Sequence, residues 1–146
     1  MKRLASGAGR PIFQGNEERP MSLKEQTLAV IDALNRHDFD ALLPMFEEEA
    51  VLDLPDGIRV IGHASFRDTL AAYVLRHGIT LSDHVVMTDA AAFRIAVECT
   101  LNGSDRRDAD GGEDAHEGPY ALPAVLVLER EQDLFSRLSL YAGTRP

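Results

Sequence analysis

Hydrophobic and polar residues alternate most regularly between residues 93 and 101. The even positions carry Arg, Ala, Glu and Thr, whereas the odd positions are apolar: Phe93, Ile95, Val97, Cys99 and Leu101. Because the side chains of a strand point alternately to opposite faces, this pattern predicts a strand with one apolar and one more polar face. Similar stretches predict strands over about 50–54, 83–88, 91–102, 119–129 and 134–142.

The N-terminal half of the chain instead spaces its apolar residues as a helix does. Ser22 and Glu25 form a capping box, which predicts a first helix that ends near His37. Asp38 or Asp40 can cap a short second helix directly afterwards.

A third helix is predicted to begin at Ser65 and to end at Gly78. One face of it carries Phe66, Leu70, Tyr73, Val74 and His77. The order helix, helix, strand, helix and then strands predicts an α+β fold, with the helices on one side of a curved antiparallel sheet. Residues 21–146 form the predicted domain, and residues 1–20, rich in Gly, Pro and charge, form an arm outside it.

A long acidic loop is predicted between the two longest strands, over residues 102–118. Counted from Arg106, it follows part of the EF-hand calcium pattern at Asp108, Asp110, Gly111, Asp114 and Glu117. Arg106 at the first position cannot bind a cation, and the flanking segments are predicted strands rather than helices. We therefore expect no metal site, and no cofactor motif is visible.

Composition disfavours several classes of partner. The chain has 146 residues and a net charge of -9, which argues against nucleic acid and anionic membranes. Its apolar runs are shorter than the roughly 20 residues that cross a bilayer. Cys99 is the only cysteine, so no internal disulfide can form, and a reducing, cytoplasmic location is expected.

Short motifs follow one another in the order of a known superfamily: Asp38-Phe39-Asp40, Leu52-Asp53-Leu54-Pro55, Gly62, and the ending from Phe135 to Tyr141. Over about residues 22–142 the chain resembles the nuclear transport factor 2-like superfamily, in particular its SnoaL-like and ketosteroid-isomerase-like branch. The resemblance implies a cone-shaped sheet with three N-terminal helices packed on its concave side. It also implies a pocket between the helices and the sheet, and a homodimer through the outer sheet face. It says little about which reaction, if any, the protein catalyses.

The catalytic residues of that branch have no counterpart at the matching positions. Its isomerases use a carboxylate base, a Tyr and a protonated Asp. The matching positions here are apolar: Leu54, Val30 and Ala124. Its epoxide hydrolases use an Asp-Arg-Asp arrangement, whereas the inward positions here are Val97, Cys99 and either Leu122 or Ala124. The resemblance therefore implies the fold without its best-known chemistry.

Three residues remain as candidates for acid–base chemistry. Asp53 lies between Leu52 and Leu54, so alternation points it outward unless a bulge or a shift in register turns it inward. His84 begins a strand, and His63 precedes the third helix; either ring is placed where it can transfer protons. A surface or structural role is the more common outcome for each of the three.

The apolar inner face predicts a protein that binds a small, mostly apolar molecule. Tyr73 and Tyr120 can orient a carbonyl or hydroxyl group of that molecule. The predicted pocket is lined by Val30, Leu52, Leu54, Phe66, Leu70, Tyr73, Phe93, Val97, Cys99, Tyr120, Leu122, Leu138 and Leu140. Two alternatives stay open. One is an isomerase, cyclase or dehydratase that uses Asp53 or a histidine, and the other is a structural dimerisation module with a solid interior.

Overall fold

The computed structural model describes residues 21–89, 91, 93–105 and 118–143. Its helices are α1 (Leu23–Asn35), α2 (Phe39–Leu42) and α3 (His63–His77), and a 3-10 turn spans Leu43–Met45. Its strands are β1 (Phe46–Asp53), β2 (Arg59–Ile61), β3 (Thr80–Thr88), β4 (Arg94–Gly103), β5 (Tyr120–Glu131) and β6 (Leu134–Ala142). The predicted arm and most of the acidic loop lie outside the described residues.

The helices begin where the sequence provides caps. The capping box of α1 is confirmed: Glu25 N donates to Ser22 Oγ at 3.1 Å, and Ser22 N donates to Glu25 Oε1 at 2.9 Å. Asp38 caps α2 through its side chain. The third helix begins at His63, two residues before the predicted start at Ser65. No helix in the described part of the chain is long and apolar enough to cross a membrane.

The strands form one curved sheet in the order β2-β1-β6-β5-β4-β3. The predicted α+β fold with a curved sheet is confirmed, and the sheet is mixed: neighbouring strands are antiparallel, except that β1 and β6 run parallel. The reason is connectivity: β1 and β6 are joined through a helix and four strands rather than by a hairpin, so no tight turn forces them to run in opposite directions. The short strand β2 pairs with the free edge of β1 and was not predicted.

The first strand is longer than predicted, because it begins at Phe46 rather than at Ala50. Phe46 pairs with Phe135 of β6, which extends β1 through the acidic run that follows. Glu48 and Glu49 stay exposed, and a bulge between Phe46 and Val51 takes up the irregular spacing. The carboxylates of the run are therefore solvated on a strand.

The alternation in β4 divides the two faces of the sheet as predicted. Ile95, Val97, Cys99 and Leu101 are buried beneath the helices, whereas Arg94 and Glu98 are exposed on the other face. We call these the inner face and the outer face. The cross-strand partners of Val97 and Leu101 continue the inner face onto β5 as Leu126 and Leu122.

The core lies between the inner face and the helices α1 and α3. Its largest side chains are fully buried, and three of them form an aromatic cluster: Phe46 lies 4.7 Å from Phe66 and 5.5 Å from Phe135, between ring centroids. Rings at these separations stabilise the core beyond the area that they bury. Phe66 comes from α3 and the other two from β1 and β6, so the cluster ties the helix to the centre of the sheet.

Candidate functional site

A cleft of about 240 Å³ lies at one end of the sheet, where α3, β1, β4 and β6 end and β5 begins. We call it the end cleft. Its lining residues are Pro55, Asp56, Tyr73, His77, Leu101, Asp105, Tyr120, Leu122, Ala142 and Gly143. Apolar side chains form its floor, and the polar side chains come from α3, from the turn between β1 and β2, and from the two ends of the β4–β5 connection. It is smaller than the roughly 300–1,000 Å³ typical of sites for drug-sized ligands.

The polar centre of the end cleft is a hydrogen-bonded group of three side chains. His77 Nδ1 lies 2.6 Å from Asp105 Oδ1, and Tyr120 donates its hydroxyl to the same oxygen at 2.9 Å. The side chains of His77 and Asp105 are 26% and 27% exposed, so water still reaches them. A carboxylate that accepts from Nδ1 fixes the ring so that Nε2 carries the free lone pair. The group can therefore accept a proton.

Backbone contacts bring His77 and Asp105 together. The third helix ends at His77 because Gly78 adopts a left-handed conformation with φ of 57°, which suits glycine. Ser104 N, just past the end of β4, then donates to His77 O at 2.7 Å. This bond fixes the end of β4 to the end of α3 and leaves Asp105 beside the imidazole.

Gly103 provides the space for Tyr120. The two residues are cross-strand partners in β4 and β5. A Cβ atom at position 103 would lie 2.6 Å from the Tyr120 hydroxyl oxygen and 2.7 Å from Cζ, closer than real side chains approach. Only glycine lets the Tyr120 ring lie across the strand and direct its hydroxyl to Asp105.

Tyr73 is the second aromatic polar side chain of the end cleft. Its ring lies 4.8 Å from the His77 ring, between centroids. Burial, followed by the negative charges of Asp56 and Asp105, raises the pKa of Tyr73 to about 12, so its hydroxyl stays protonated at neutral pH. Within the described part of the chain this hydroxyl makes no hydrogen bond, so it can donate to a ligand.

The electrostatics of the end cleft disfavour anions. Asp56 and Asp105 contribute carboxylates, and the described lining includes no Lys or Arg. The Asp56 carboxylate is held in place, because Ile58 N donates to its Oδ1 at 3.0 Å. Negative groups fixed in a partly enclosed site repel anionic ligands, so the end cleft favours an uncharged ligand over an anionic one.

The residues predicted to line a pocket fall into three groups. Tyr73, Tyr120 and Leu122 line the end cleft. Nine others are buried in the core, packed with one another: Val30, Leu52, Leu54, Phe66, Leu70, Val97, Cys99, Leu138 and Leu140. Phe93 is 60% exposed at the opposite end of β4 from Leu101, so its inward placement was wrong. The alternating pattern does not say where the strand begins, and Phe93 precedes it.

Asp53 lies on the outer face, as its alternation predicts, and takes part in an ionic network. Arg59 donates to its carboxylate from Nε and Nη2, at 2.5 and 3.1 Å, and buried Ser139 donates at 2.7 Å. Arg137 lies 3.4 Å away. The hydrogen bond from Arg59 is the main reason that the pKa of Asp53 lies below its usual value. Asp53 is thus held ionised, away from the end cleft.

The other predicted candidates bond to backbone oxygens outside the end cleft. His84 Nε2 lies 3.0 Å from Leu81 O, and His63 Nε2 lies 2.9 Å from Phe46 O. Burial raises the pKa of the Cys99 thiol, with a smaller contribution from Glu98. These side chains support the strands and helix ends around them.

Sequence reasoning placed His77 on the face of the third helix but gave it no chemical role, and it did not single out Asp105. The two are 28 residues apart, and their contact depends on the bond between Ser104 and His77. The available signal was the spacing of Tyr73 and His77, four residues apart on one helix face. Among the described residues no group of three or more potential metal ligands is present, and the calcium-like positions lie outside them.

Several solved structures share the fold. Two are putative polyketide cyclases. The one from Pseudomonas putida is 28% identical over 84% of this chain and 92% of its own, with a TM-score of 0.74. The one from Xanthomonas campestris is 27% identical over 83% of this chain and 90% of its own, also with a TM-score of 0.74. A third structure is that of SalBIII, an epoxide hydrolase/cyclase-like enzyme with a role in pyran ring formation in the polyether salinomycin. It is 18% identical over 84% of this chain and 91% of its own, with a TM-score of 0.69. At that identity the likeness shows the fold alone.

The family comparison covers most of the described domain. A comparison with curated protein sequences gives no match. The family model of the SnoaL-like domain matches residues 28–138, from within α1 to within β6. The helices, the mixed curved sheet and the solved structures of the same fold agree with that match. The chain therefore belongs to the SnoaL-like domain family, within the nuclear transport factor 2-like superfamily.

Proposed function

We propose that this SnoaL-like domain binds a small, uncharged and mostly apolar molecule in the end cleft. The observation that carries the proposal is the lining: Leu101, Leu122 and Ala142 offer apolar surface beside the Tyr73 hydroxyl, which makes no hydrogen bond to any described residue. Polar groups at the edge of an apolar cleft orient a ligand, while apolar burial supplies most of its affinity.

The size of the end cleft sets the size of the ligand. About 240 Å³ accommodates a molecule of one or two rings, or one end of a longer molecule. Burying an aromatic group of that size removes about 150–250 Å² from water, which contributes about 4–6 kcal/mol before the costs of association. We therefore expect affinities in the micromolar to millimolar range for a single small ring system.

The core argues against a deeper binding site among the described residues. Most residues predicted to line the pocket pack with one another around the cluster of Phe46, Phe66 and Phe135. A ligand in the end cleft needs no rearrangement of that core. The two polyketide cyclase structures that are 27% and 28% identical make ring-containing polyketides a ligand class to test first.

The partner proposed for the outer face is a second copy of this chain. Val85, Met87 and Tyr141 lie on the outer face and are about half exposed. Tyr141 shares β6 with Arg137 of the network around Asp53, whereas Val85 and Met87 lie on the edge strand β3. The arginines and carboxylates of that network can pair with those of a copy related by a two-fold axis. A reducing, cytoplasmic location is proposed from the single cysteine alone.

The binding proposal is tested with indole, which is uncharged, bicyclic and able to accept the Tyr73 hydroxyl on its ring face. Titration of isotope-labelled protein should shift the amide resonances of Leu101, Tyr73 and Tyr120 and leave those around Phe93 unchanged. Leu122→Arg, which places a cation in the apolar floor, should abolish the shifts. Its matched control, Leu75→Arg, changes an exposed leucine of α3 outside the cleft and should leave them intact.

Two results would contradict the proposal. One is the absence of shifts in the end cleft up to millimolar indole. The other is equal binding by the Leu122→Arg and wild-type proteins, which would place the indole elsewhere. A benzoate titration serves as the charge control, because the carboxylates of Asp56 and Asp105 should weaken its binding relative to indole.

A further inference from the structure

We infer that the end cleft selects, among uncharged apolar molecules, those that carry an N–H or O–H group, and that His77 is the acceptor that imposes this choice. The inference rests on the proposed binding of an uncharged molecule in the same cleft. It goes beyond that proposal because it names the chemical feature that the ligand must have. It also gives a specificity-determining role to a side chain that sequence reasoning left without one.

Asp105 determines which ring nitrogen of His77 carries a hydrogen. His77 Nδ1 lies 2.6 Å from Asp105 Oδ1, at the short end for a hydrogen bond to a carboxylate. A carboxylate only accepts hydrogen bonds, and a neutral imidazole has one N–H group and one lone pair. Nδ1 therefore donates to Asp105, and Nε2 keeps the lone pair and acts as an acceptor.

The carboxylate that orients the imidazole is itself held in place. Tyr120 donates its hydroxyl to Asp105 Oδ1 at 2.9 Å, and Gly103 leaves the space in which the Tyr120 ring lies. The end of α3 is held as well, because Ser104 N donates to His77 O at 2.7 Å. Linked hydrogen bonds polarise one another, so donation from Nδ1 to the carboxylate strengthens Nε2 as an acceptor.

Nε2 is the atom of this group that a ligand can use. Among the described residues no group donates to it, and His77 lines the end cleft with 26% of its side chain exposed. Water reaches a ring with that exposure, so a ligand that covers the ring displaces a hydrogen bond to water. A ligand with an N–H or O–H group restores that bond, whereas a purely apolar ligand leaves a buried acceptor without a partner.

Tyr73 does not impose the same choice. Its hydroxyl also lines the end cleft, and its ring lies 4.8 Å from that of His77, between centroids. A hydroxyl rotates and can either donate or accept, so it tolerates ligand carbonyls, hydroxyls and ring faces alike. The imidazole oriented by Asp105 has no such freedom, and the selection therefore falls to His77.

Asp56 is the competing acceptor in the end cleft. Its carboxylate accepts from Ile58 N at 3.0 Å and lies in the turn between β1 and β2. Asp56 is exposed, so its carboxylate keeps its contacts with water when a ligand binds nearby. A hydrogen bond from the ligand to Asp56 would only replace one from water, which gives little selection.

The test compares indole with benzofuran, a bicyclic molecule of the same shape in which an oxygen replaces the N–H group. Both are uncharged, and only indole can donate to Nε2. Affinities from amide shifts of isotope-labelled protein at mildly alkaline pH should favour indole by at least about 10-fold. Indole should also shift the resonance of the unprotonated ring nitrogen of His77, and benzofuran should not.

Variants assign the preference to one side chain. His77→Phe keeps a ring but removes the acceptor, so indole and benzofuran should bind within about 2-fold of each other. Asp56→Asn should keep the wild-type preference. His84→Phe is the matched control and should also keep it, because His84 lies outside the end cleft. Asp105→Asn should reduce the preference and shift the ring nitrogen resonances of His77 towards a mixture of tautomers, which a merely structural role would not do.

The outcomes distinguish this inference from the binding proposal. Equal affinities of the wild-type protein for the two probes, with both shifting Tyr73 and Tyr120, would overturn the inference and leave the binding site standing. A preference that survives in folded His77→Phe and vanishes in Asp56→Asn would overturn it as well, by moving the acceptor to Asp56. The absence of shifts in the end cleft with either probe would overturn both proposals. The wild-type comparison needs no variant, so it decides the matter even where His77→Phe fails to fold.

Discussion

Asp53 and Asp105 occupy two contrasting environments. Asp53 lies on the outer face between Arg59 and Arg137, where opposite charges and the buried Ser139 hydroxyl hold it ionised. Asp105 lies in the end cleft, where its partners include His77 and Tyr120. The first environment stabilises a fixed charge, whereas the second couples a carboxylate to a ring that can gain a proton.

Asp53→Asn should destabilise the folded protein at neutral pH by about 1–2 kcal/mol, because the charge-assisted bonds to Arg59 and Ser139 are weakened. The pKa of Asp53 is lowered in the folded state, so its contribution is present above the pKa of the unfolded chain and is lost as the pH falls through the folded pKa. The difference in free energy of unfolding between the two proteins should therefore shrink in acid.

Urea denaturation at several pH values measures this difference. Asp32→Asn is the control, since it removes an exposed partner of Arg36 and should change stability little at any pH. A difference for Asp53→Asn that stays constant down to strongly acidic pH would contradict the assigned role.

Tyr73 should resist ionisation well above neutral pH. Its pKa is raised to about 12 by burial, so at about pH 10, where an ordinary tyrosine is half ionised, nearly all Tyr73 should remain protonated. The phenolate absorbance of the wild-type protein minus that of Tyr73→Phe reports this residue alone. A midpoint near pH 10 in a protein that is still folded would show that the Tyr73 ring is more exposed than it is in this structure.

The sequence predicts the local features of helices and strands better than it predicts which distant segments pair. The capping box at Ser22 and Glu25 is local chemistry, so the start of α1 follows from four residues. The alternation through Val97 and Cys99 likewise separates the two faces of β4. The parallel pairing of β1 with β6 and the three-residue strand β2 depend on contacts between distant segments, and no local pattern encodes them. The end cleft likewise depends on a contact between distant segments, because His77 and Asp105 are 28 residues apart in the chain.

Gly103→Ala tests how β4 and β5 build the end cleft. The added Cβ would lie 2.6 Å from the Tyr120 hydroxyl oxygen, so the ring must move and its bond to Asp105 should break. We expect a loss of about 1–3 kcal/mol in stability and a change in the Tyr120 ring resonances. In a Tyr120→Leu background the same substitution should cost less, because the clashing ring is absent. Equal costs in the two backgrounds would contradict this packing.

The two faces of the sheet carry apolar side chains in different settings. The inner face is covered by the helices, whereas the outer face exposes Val85, Met87 and Tyr141 beside charged residues. Apolar side chains grouped on one sheet face are typical of a contact between subunits. The end cleft lies at an end of the sheet, so a partner on the outer face leaves room for the ligand.

Tyr141→Glu should convert a dimer into a monomer, because it places a charge in the proposed contact on each copy. Sedimentation velocity over a range of micromolar concentrations measures the change. Leu75→Glu is the matched control on an exposed site of α3 and should leave the dimer intact. A monomeric wild-type protein, or a dimer unaffected by Tyr141→Glu, would contradict the proposed interface.

The central claim is that the end cleft receives a small uncharged molecule. A crystal structure of the protein soaked with indole tests it most directly. The account predicts electron density for the ring system between Tyr73, His77 and Tyr120, above the floor formed by Leu101 and Leu122. Density for indole within a displaced aromatic cluster around Phe66, or on the outer face with the end cleft holding only water, would contradict it.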